Sequence, residues 1–392
     1  MHSAHDDTGV RTLAASRIVT PQGVLEPGWI RLSGASIAEL GSGTPPASTD
    51  PGAGPADITD LGAGWLVPGF VDIHCHGGGG GSFTGVELDQ AEAALAAHRA
   101  HGTTTMLASL VSAPLADLTK QISALRELVE DGRLDGIHLE GPFLSAARCG
   151  AHDPAVLRAP DQQSVRKLLT AGRGAVRMVT LAPELDGSVE AVRELADADV
   201  IAAIGHTDAV REDIVPAVEA GATVATHLFN GMRPLHHREP GPVGTLLADE
   251  RVTVELICDF VHLHPTVAGL AARHAGAGRT VLVTDAISAT DAGDGTYELG
   301  KLPVTVSGGE ARLADGSLAG STLTMDTALR NLVTGCGLSV PEAVAAAATR
   351  PAELLGAGDR VGALRPGLAA DLVFLDEELT LRHVMKDGSW VS

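Results

Sequence analysis

The chain has 392 residues, 44% hydrophobic and 20% charged, with a formal net charge of −21. That length exceeds one ordinary core and predicts a large domain with a smaller companion. The charge argues against nucleic acid as a partner, since phosphate backbones need a basic face, and reads as solubility, though local arginines can still hold a small anion.

The four cysteines, Cys75, Cys149, Cys258 and Cys336, show no CxxC spacing, which predicts reduced thiols. The start, Met1-His2-Ser3-Ala4-His5-Asp6-Asp7, lacks the basic residues and apolar stretch of a signal peptide. No uninterrupted apolar segment reaches membrane-spanning length. The expectation is a soluble cytoplasmic protein with no membrane partner.

In chain order, residues 1–64 hold short alternating segments (Arg17–Val19, Trp29–Leu32, Ser36–Leu40) interrupted by a Pro/Gly/Ser stretch from Gly41 to Pro55. From about residue 65, eight β-branched runs alternate with helical stretches. The runs are Val67–Ile73, Thr104–Leu110, Gly136–Leu139, Val176–Leu181, Val200–Ile204, Thr223–Thr226, Val252–Ile257 and Thr280–Thr284. Between most of them lie helices such as Leu88–His101, Leu115–Glu130, Ser188–Ala198 and Pro265–His274, with apolar residues at helical spacing. Strand–helix alternation implies a parallel sheet, and eight such units fit an α/β fold of the (β/α)₈ TIM-type barrel. An open doubly wound sheet is the competitor, but it gives no reason for ligand-type residues at so many strand ends. Residues 296–318 read as a β-hairpin inserted after the eighth strand, and Ser339-x-x-Glu342 as a capping box opening a helix that runs to Leu355. The C-terminus (367–376, His383–Met385, Trp390–Val391) is again strand-like. Neither flank can bury a core alone. Residues 1–64 and 356–392 are therefore expected to form one small β-sandwich domain beside a catalytic barrel of residues 65–355.

His74 and His76 end the first run, two residues apart, and strand alternation turns them to one face with Cys75 on the other. Glu140, His206, His227 and Asp285 end the third, fifth, sixth and eighth runs. Each alone reads most simply as a satisfied buried histidine or an ion-paired acid. Six at one end of a barrel converge on its mouth, where divalent metals accept imidazole and carboxylate together. Two ions would need a bridge. A carbamylated lysine at the fourth strand's end is excluded, because the lysines are Lys120, Lys167, Lys301 and Lys386 and none lies there. Glu140 is the remaining bridge. The glycine run Gly77–Gly81 lacks a following Gly-Lys-Ser/Thr and reads as a flexible loop, not a phosphate cradle.

The segments Pro68-Gly69-Phe70-Val71-Asp72-Ile73-His74-Cys75-His76-Gly77, His138-Leu139-Glu140-Gly141-Pro142-Phe143, Gly205-His206-Thr207-Asp208-Ala209, Ala225-Thr226-His227-Leu228-Phe229-Asn230-Gly231-Met232 and Thr284-Asp285-Ala286 closely resemble the N-acetylglucosamine-6-phosphate deacetylases of the amidohydrolase superfamily. So do Arg238-Glu239-Pro240-Gly241 and Ala319-Gly320-Ser321-Thr322-Leu323-Thr324-Met325, and the match runs in order from about residue 60 to the end. The resemblance implies metal-dependent hydrolysis of N-acetylglucosamine 6-phosphate to glucosamine 6-phosphate and acetate, in amino-sugar catabolism and cell-wall recycling. By position, Glu140, His206 and His227 match the metal ligands that all members share, and His74 and His76 match a second site that some members lose. The implied cofactor is one or two divalent ions per subunit: zinc first, with iron, manganese, cobalt or cadmium as alternatives. Asp285 matches the general base, which then acts as acid and can also touch the metal; His152 is a helper of the oxyanion. Asn230, Gly231, Arg238 and His262 match sugar-phosphate contacts, Ala151 and His152 a loop over the substrate, and Leu318, Ala319 and Gly320 a further wall. The family's members are homodimers, so Arg238 and His262 could serve their own or the partner's site.

This chain departs from the pattern twice. Cys149 stands where many relatives have a basic residue, and Phe260 where a glycine is usual. Two other functions compete: a different amidohydrolase chemistry such as deamination, told apart by ammonia release, and a non-catalytic sugar-phosphate sensor, which loss of Asp285 or the histidines would have suggested.

Overall fold

The structure, a computed structural model, describes residues 10–46 and 58–391. The N-terminal segment 1–7 and the later part of the Gly41–Pro55 stretch, from residue 47, lie outside the described residues. By density of contacts the chain forms two compact units. One holds the residues up to Val71, Arg99–Thr104 and Ser339 onward, and the other holds Asp72–His98 and Thr105–Leu338.

In the first unit both termini contribute to two mixed sheets. One runs Ser36–Ser42, Gly28–Ser33, Val10–Ala15, Ile58–Asp60, and the other Ser389–Trp390, Leu381–Lys386, Leu372–Leu375, Trp65–Pro68, Arg17–Thr20, Gly23–Leu25. The register sets N-terminal against C-terminal apolar residues: Val373 opposes Val67 and Phe374 opposes Leu66. Ile18, Ile30, Leu66, Leu372 and Met385 share one buried core. Each fully buried aliphatic side chain contributes roughly 1.5–3 kcal/mol, so neither terminus alone could hold this core together.

The first run divides where the sequence suggested one strand. Trp65–Pro68 pairs in the terminal sheet, while Phe70–Asp72 opens the eight-stranded sheet. Gly69 is the joint, because a Cβ there would lie 2.2 Å from Thr104 Oγ1, leaving no room for any side chain.

The eight-stranded sheet runs through Phe70–Asp72, Thr103–Val111, Gly136–Glu140, Val176–Leu181, Ile201–Ile204, Ala222–Ala225, Thr253–Leu256 and Thr280–Leu282 in sequence order. The registered neighbours from the second strand onward are all parallel. Helices link most of them, as in Leu115–Glu130 and Pro265–Ala275. Covered on both faces, the second strand is buried at every position. The barrel closes just past the strands, where the Asp285 amide donates to the His74 carbonyl and the His76 amide to the Ala286 carbonyl, both at 2.8 Å.

Two local expectations change. The insertion after the eighth strand is a three-stranded meander (Gly295–Leu299, Leu302–Ser307, Glu310–Arg312), because Val304, Val306 and Ala311 bury together against Ile287 and Ala319. The glycine run is a tight paired turn, with Gly77–Gly78 against Gly81–Ser82, and not a loose loop. A Cβ on Gly81 would meet the Gln90 carbonyl at 2.1 Å, so close backbone approach requires glycine there. In the first unit Ser339 and Glu342 form the expected reciprocal cap, but the helix they open passes through a π-helical segment, Ala345–Thr349, before ending at Leu354.

Candidate active site

The site is built where strands stop. His206, His227 and Asp285 follow the fifth, sixth and eighth strands and hold φ of 47°, 26° and 50°. Non-glycine residues avoid this left-handed region at a cost of about 1–3 kcal/mol each. Local preference would extend the strands; the barrel's closure imposes the turn. A Cβ on Gly231 would come 2.9 Å from His206 Nδ1, so that glycine lets the next loop close over the imidazole.

Glu140 is the hub. Its Oε1 lies 2.9 Å from His206 Nε2 and 3.0 Å from His227 Nε2, and its Oε2 3.2 Å from His76 Nε2 and 3.3 Å from His152 Nε2. Asp285 Oδ1 sits 3.2 Å from His76 Nε2 and 3.5 Å from His74 Nε2. Cys75 points away and sets its sulfur 3.2 Å from His98 Nε2.

Outer hydrogen bonds decide which nitrogens face inward. His74 Nδ1 donates to Glu255 Oε2 (3.1 Å), His76 Nδ1 to the Ser109 carbonyl (3.2 Å), and His206 Nδ1 to the Arg148 carbonyl (2.9 Å). With Nδ1 committed outward, each of these rings turns Nε2 into the centre, where its neutral form offers a lone pair. Those of His74 and His76 stand only 3.2 Å apart. Two facing lone pairs repel unless a proton or a cation lies between them, and the donor set, all imidazole nitrogen and carboxylate oxygen, fits a divalent ion. His74, His76 and Glu140 bring ligand atoms close enough to hold one such ion, and Glu140 and His206 meet in a second cluster that His152 adjoins.

The electrostatics agree with a cation-seeking centre. Burial lowers the His74 and His76 imidazoles, but the Glu140 and Asp285 carboxylates outweigh it. His74 ends well above its usual value, and His76 is pushed up to about 9. Burial alone would raise Glu140 and Asp285, yet the neighbouring histidines hold both below the carboxylate range. His152 goes the other way: burial dominates and takes it down to about 4. Its Nδ1 accepts the Ser112 amide at 3.2 Å, so near neutrality it is an uncharged imidazole with its proton on Nε2.

Glu140, His76, His206, His227 and Asp285 line a cavity of about 250 Å³ together with Ala151, His152, Asn230, Gly231, His262, Leu318 and Gly320. His74 lies behind His76, fully buried, and Ala319 packs beneath the wall in the core of the meander. Arg238 does not join that lining. It is exposed, with Nη1 2.9 Å from His237 Nε2.

The amidohydrolase family profile matches residues 65–391. The chain is 36% identical over 370 residues to N-acetylglucosamine-6-phosphate deacetylase of Bacillus subtilis (strain 168), covering 92% of each. It is 35% identical over 385 residues to N-acetylgalactosamine-6-phosphate deacetylase of Escherichia coli O157:H7, covering 97% of this chain and 99% of the other. Among solved structures it is similar to a mutant N-acetyl-D-glucosamine-6-phosphate deacetylase from Mycobacterium smegmatis in complex with N-acetyl-D-glucosamine-6-phosphate. The TM-score is 0.93, with 46% identity over 98% of this chain and 99% of that one. The chain belongs to the amidohydrolase family, in its N-acetylglucosamine-6-phosphate deacetylase branch.

Residue-by-residue reading of this amidohydrolase missed Glu255. It lies inside the seventh strand, fully buried, accepting from His74 Nδ1 and from the His227 amide, each at 3.1 Å. The available signal was a lone acid inside the apolar run Val254-Glu255-Leu256. His138 was also passed over. Buried beneath His74, it bonds Ser109 Oγ at 2.9 Å and Thr180 Oγ1 at 2.8 Å, and burial lowers its pKa well below the usual range. The Phe260 departure has a backbone meaning: φ is +64°, the region glycine favours. The ring lies where a Cβ on Gly335 would come within 2.3 Å of it. His262 keeps its place, with Nδ1 2.6 Å from Asp259 Oδ2. Cys149 is half-buried, one residue before Gly150 of the cavity lining.

Proposed function

We propose that this amidohydrolase converts N-acetyl-D-glucosamine 6-phosphate and water to D-glucosamine 6-phosphate and acetate. The observation that carries this is the Glu140-centred ring of inward Nε2 atoms with Asp285 at its edge, inside a chain 46% identical to a deacetylase solved with that sugar phosphate. Glu140, His206 and His227 would hold one divalent ion, and His74 and His76 with Glu140 a second. Such an ion, when bound, lowers the pKa of water from about 15.7 towards 7 and polarises the amide carbonyl. Asp285, at the edge of the centre, takes a proton as water attacks the carbonyl and returns it to the departing amine. His152, neutral with hydrogen on Nε2, donates to the oxyanion without bringing a charge of its own. Asn230, Gly231, His262, Leu318 and Gly320 line the same cavity and would contact the sugar phosphate. His262 is held towards the protonated state: burial lowers it, but Asp259 raises it further, which suits a phosphate contact.

Arg238, exposed and outside its own cavity's lining, serves the 6-phosphate in the site of a second copy of the chain, making the working form a homodimer in the cytoplasm. The similarity to an N-acetylgalactosamine-6-phosphate deacetylase supports a second substrate reading, the C4 epimer. The test is acetate release from both sugar phosphates and from unphosphorylated N-acetylglucosamine, with metal analysis of the same preparation. Faster turnover of the galactosamine compound would exchange the substrate, and ammonia in place of acetate would overturn the reaction itself.

A further inference from the structure

Glu255 is a buried carboxylate with an unusual set of neighbours. It is 0% exposed, and among the described residues only two groups donate to it, His74 Nδ1 and the His227 amide, both to Oε2. Its Oε1 is buried without any partner. A carboxylate removed from water costs several kcal/mol unless opposite charge compensates it. No lysine or arginine does so here among the described residues. Positive charge reaches it through the His74 imidazole, whose Nδ1 lies 3.1 Å away, carried either by a proton on that ring or by a cation at its Nε2, which stands 3.2 Å from His76 Nε2.

Glu255 also treats the two halves of the centre differently. It reaches the side chain of His74, whose orientation and inward lone pair depend on the Nδ1–H bond. At His227 it touches only the backbone, and that side chain's Nδ1 has no partner among the described residues. A carboxylate behind a ligating histidine makes the imidazole more basic and fixes its tautomer.

We propose that Glu255 is a positioning residue that establishes the second metal site, the one served by His74 and His76, while leaving the Glu140–His206–His227 site intact. This rests on the metal-dependent reading above and adds that the two sites depend on different outer carboxylate support.

The test compares wild type with Glu255→Gln. The amide keeps an acceptor for both donors and puts its NH₂ near the partnerless oxygen position, so what it removes is chiefly the charge. Purified, chelator-stripped proteins are titrated with zinc against a chromophoric chelator, with metal content measured after gel filtration and cobalt(II) spectra recorded for each equivalent added. The expected result is two ions in wild type. In Glu255→Gln one site should be unchanged and the other weakened about 10–100-fold, with the second cobalt band lost first. His74→Ala should lose the same site, which identifies it. Equal affinities at both sites in Glu255→Gln would overturn the proposal alone, as would wild type that binds only one ion. Wild type that binds none would overturn the metal-dependent reading and this inference with it. Should Glu255→Gln fail to fold, Glu255→Asp, which keeps the charge but shortens the reach, must show the same selective loss, and a Glu255→Asp protein with two unchanged sites would refute the assignment.

Discussion

Asp285 has the most to do in the proposed reaction, since one carboxylate both takes and returns the proton. Asp285→Asn should keep the fold and substrate binding and lose ~10²–10⁴-fold in kcat. A stable variant with near-normal turnover would sink that role. The same residues set a pH dependence whose sign reverses with metal. In metal-free protein His76 is raised from 6.5 to about 9, held up by Asp285 and Glu140 against burial. Stability from that imidazolium is therefore full below pH 6.5 and fades as pH rises through about 9. A ligating histidine must instead be neutral, so the loaded protein gains as protons leave and is destabilised by acid. Melting curves with chelator should fall from pH 6.5 to 9, while curves with excess zinc should not. Parallel curves would mean that these histidines hold no ion. Much of the candidate centre was legible residue by residue, because imidazoles and carboxylates at strand ends are chemically narrow types. Glu255 was not, since an acid facing into a barrel looks in sequence like one facing out.

Among the elements, the turn after the seventh strand shows how a departure from a family pattern is absorbed. Phe260 occupies a left-handed position, and its ring fills the space that a side chain on Gly335 would need. Gly335→Ala should cost ~1–3 kcal/mol through overpacking, and most of that cost should vanish in a Phe260→Gly background, where the ring is gone. Denaturant midpoints of the four proteins of the cycle measure it, and equal penalties in both backgrounds would disprove the contact. The sequence marked Phe260 as exceptional; the compensating glycine lies 75 residues on, at the end of helix Met325–Thr334, and only packing links them. The first run shows the same limit. Its apolar pattern from Val67 to Ile73 is continuous, and the break at Gly69 comes from the close approach of Thr104.

For the whole molecule, the question is whether one chain makes a complete site. Arg238 stands outside the cavity that holds Glu140 and Asp285. Arg238→Ala should therefore act through assembly. A charged hydrogen bond contributes ~1.5–3 kcal/mol, so kcat/KM for the phosphorylated sugar should fall ~10–150-fold, with little change for the unphosphorylated one. Light scattering should give a dimer for both proteins. Mixing Arg238→Ala with Asp285→Asn should restore part of the activity, because hybrid dimers would hold one intact shared site. No recovery, or an active monomer, would contradict the shared site.

By itself the sequence determined the barrel, the imidazoles and carboxylates at its strand ends and the absence of a lysine there, because each follows from periodicity or from residue type at a fixed place in a repeat. The chain also carries its family signature in contiguous segments, so the resemblance needed no coordinates. Only the tertiary structure decided which nitrogen of each histidine faces the centre. It also decided that His206, His227 and Asp285 bend into a disfavoured backbone region to do so, and that Glu255 stands behind His74. Those features depend on strands far apart in the chain meeting at one mouth, and hydrogen-bond partners brought together by closure leave no local trace in the order of residues.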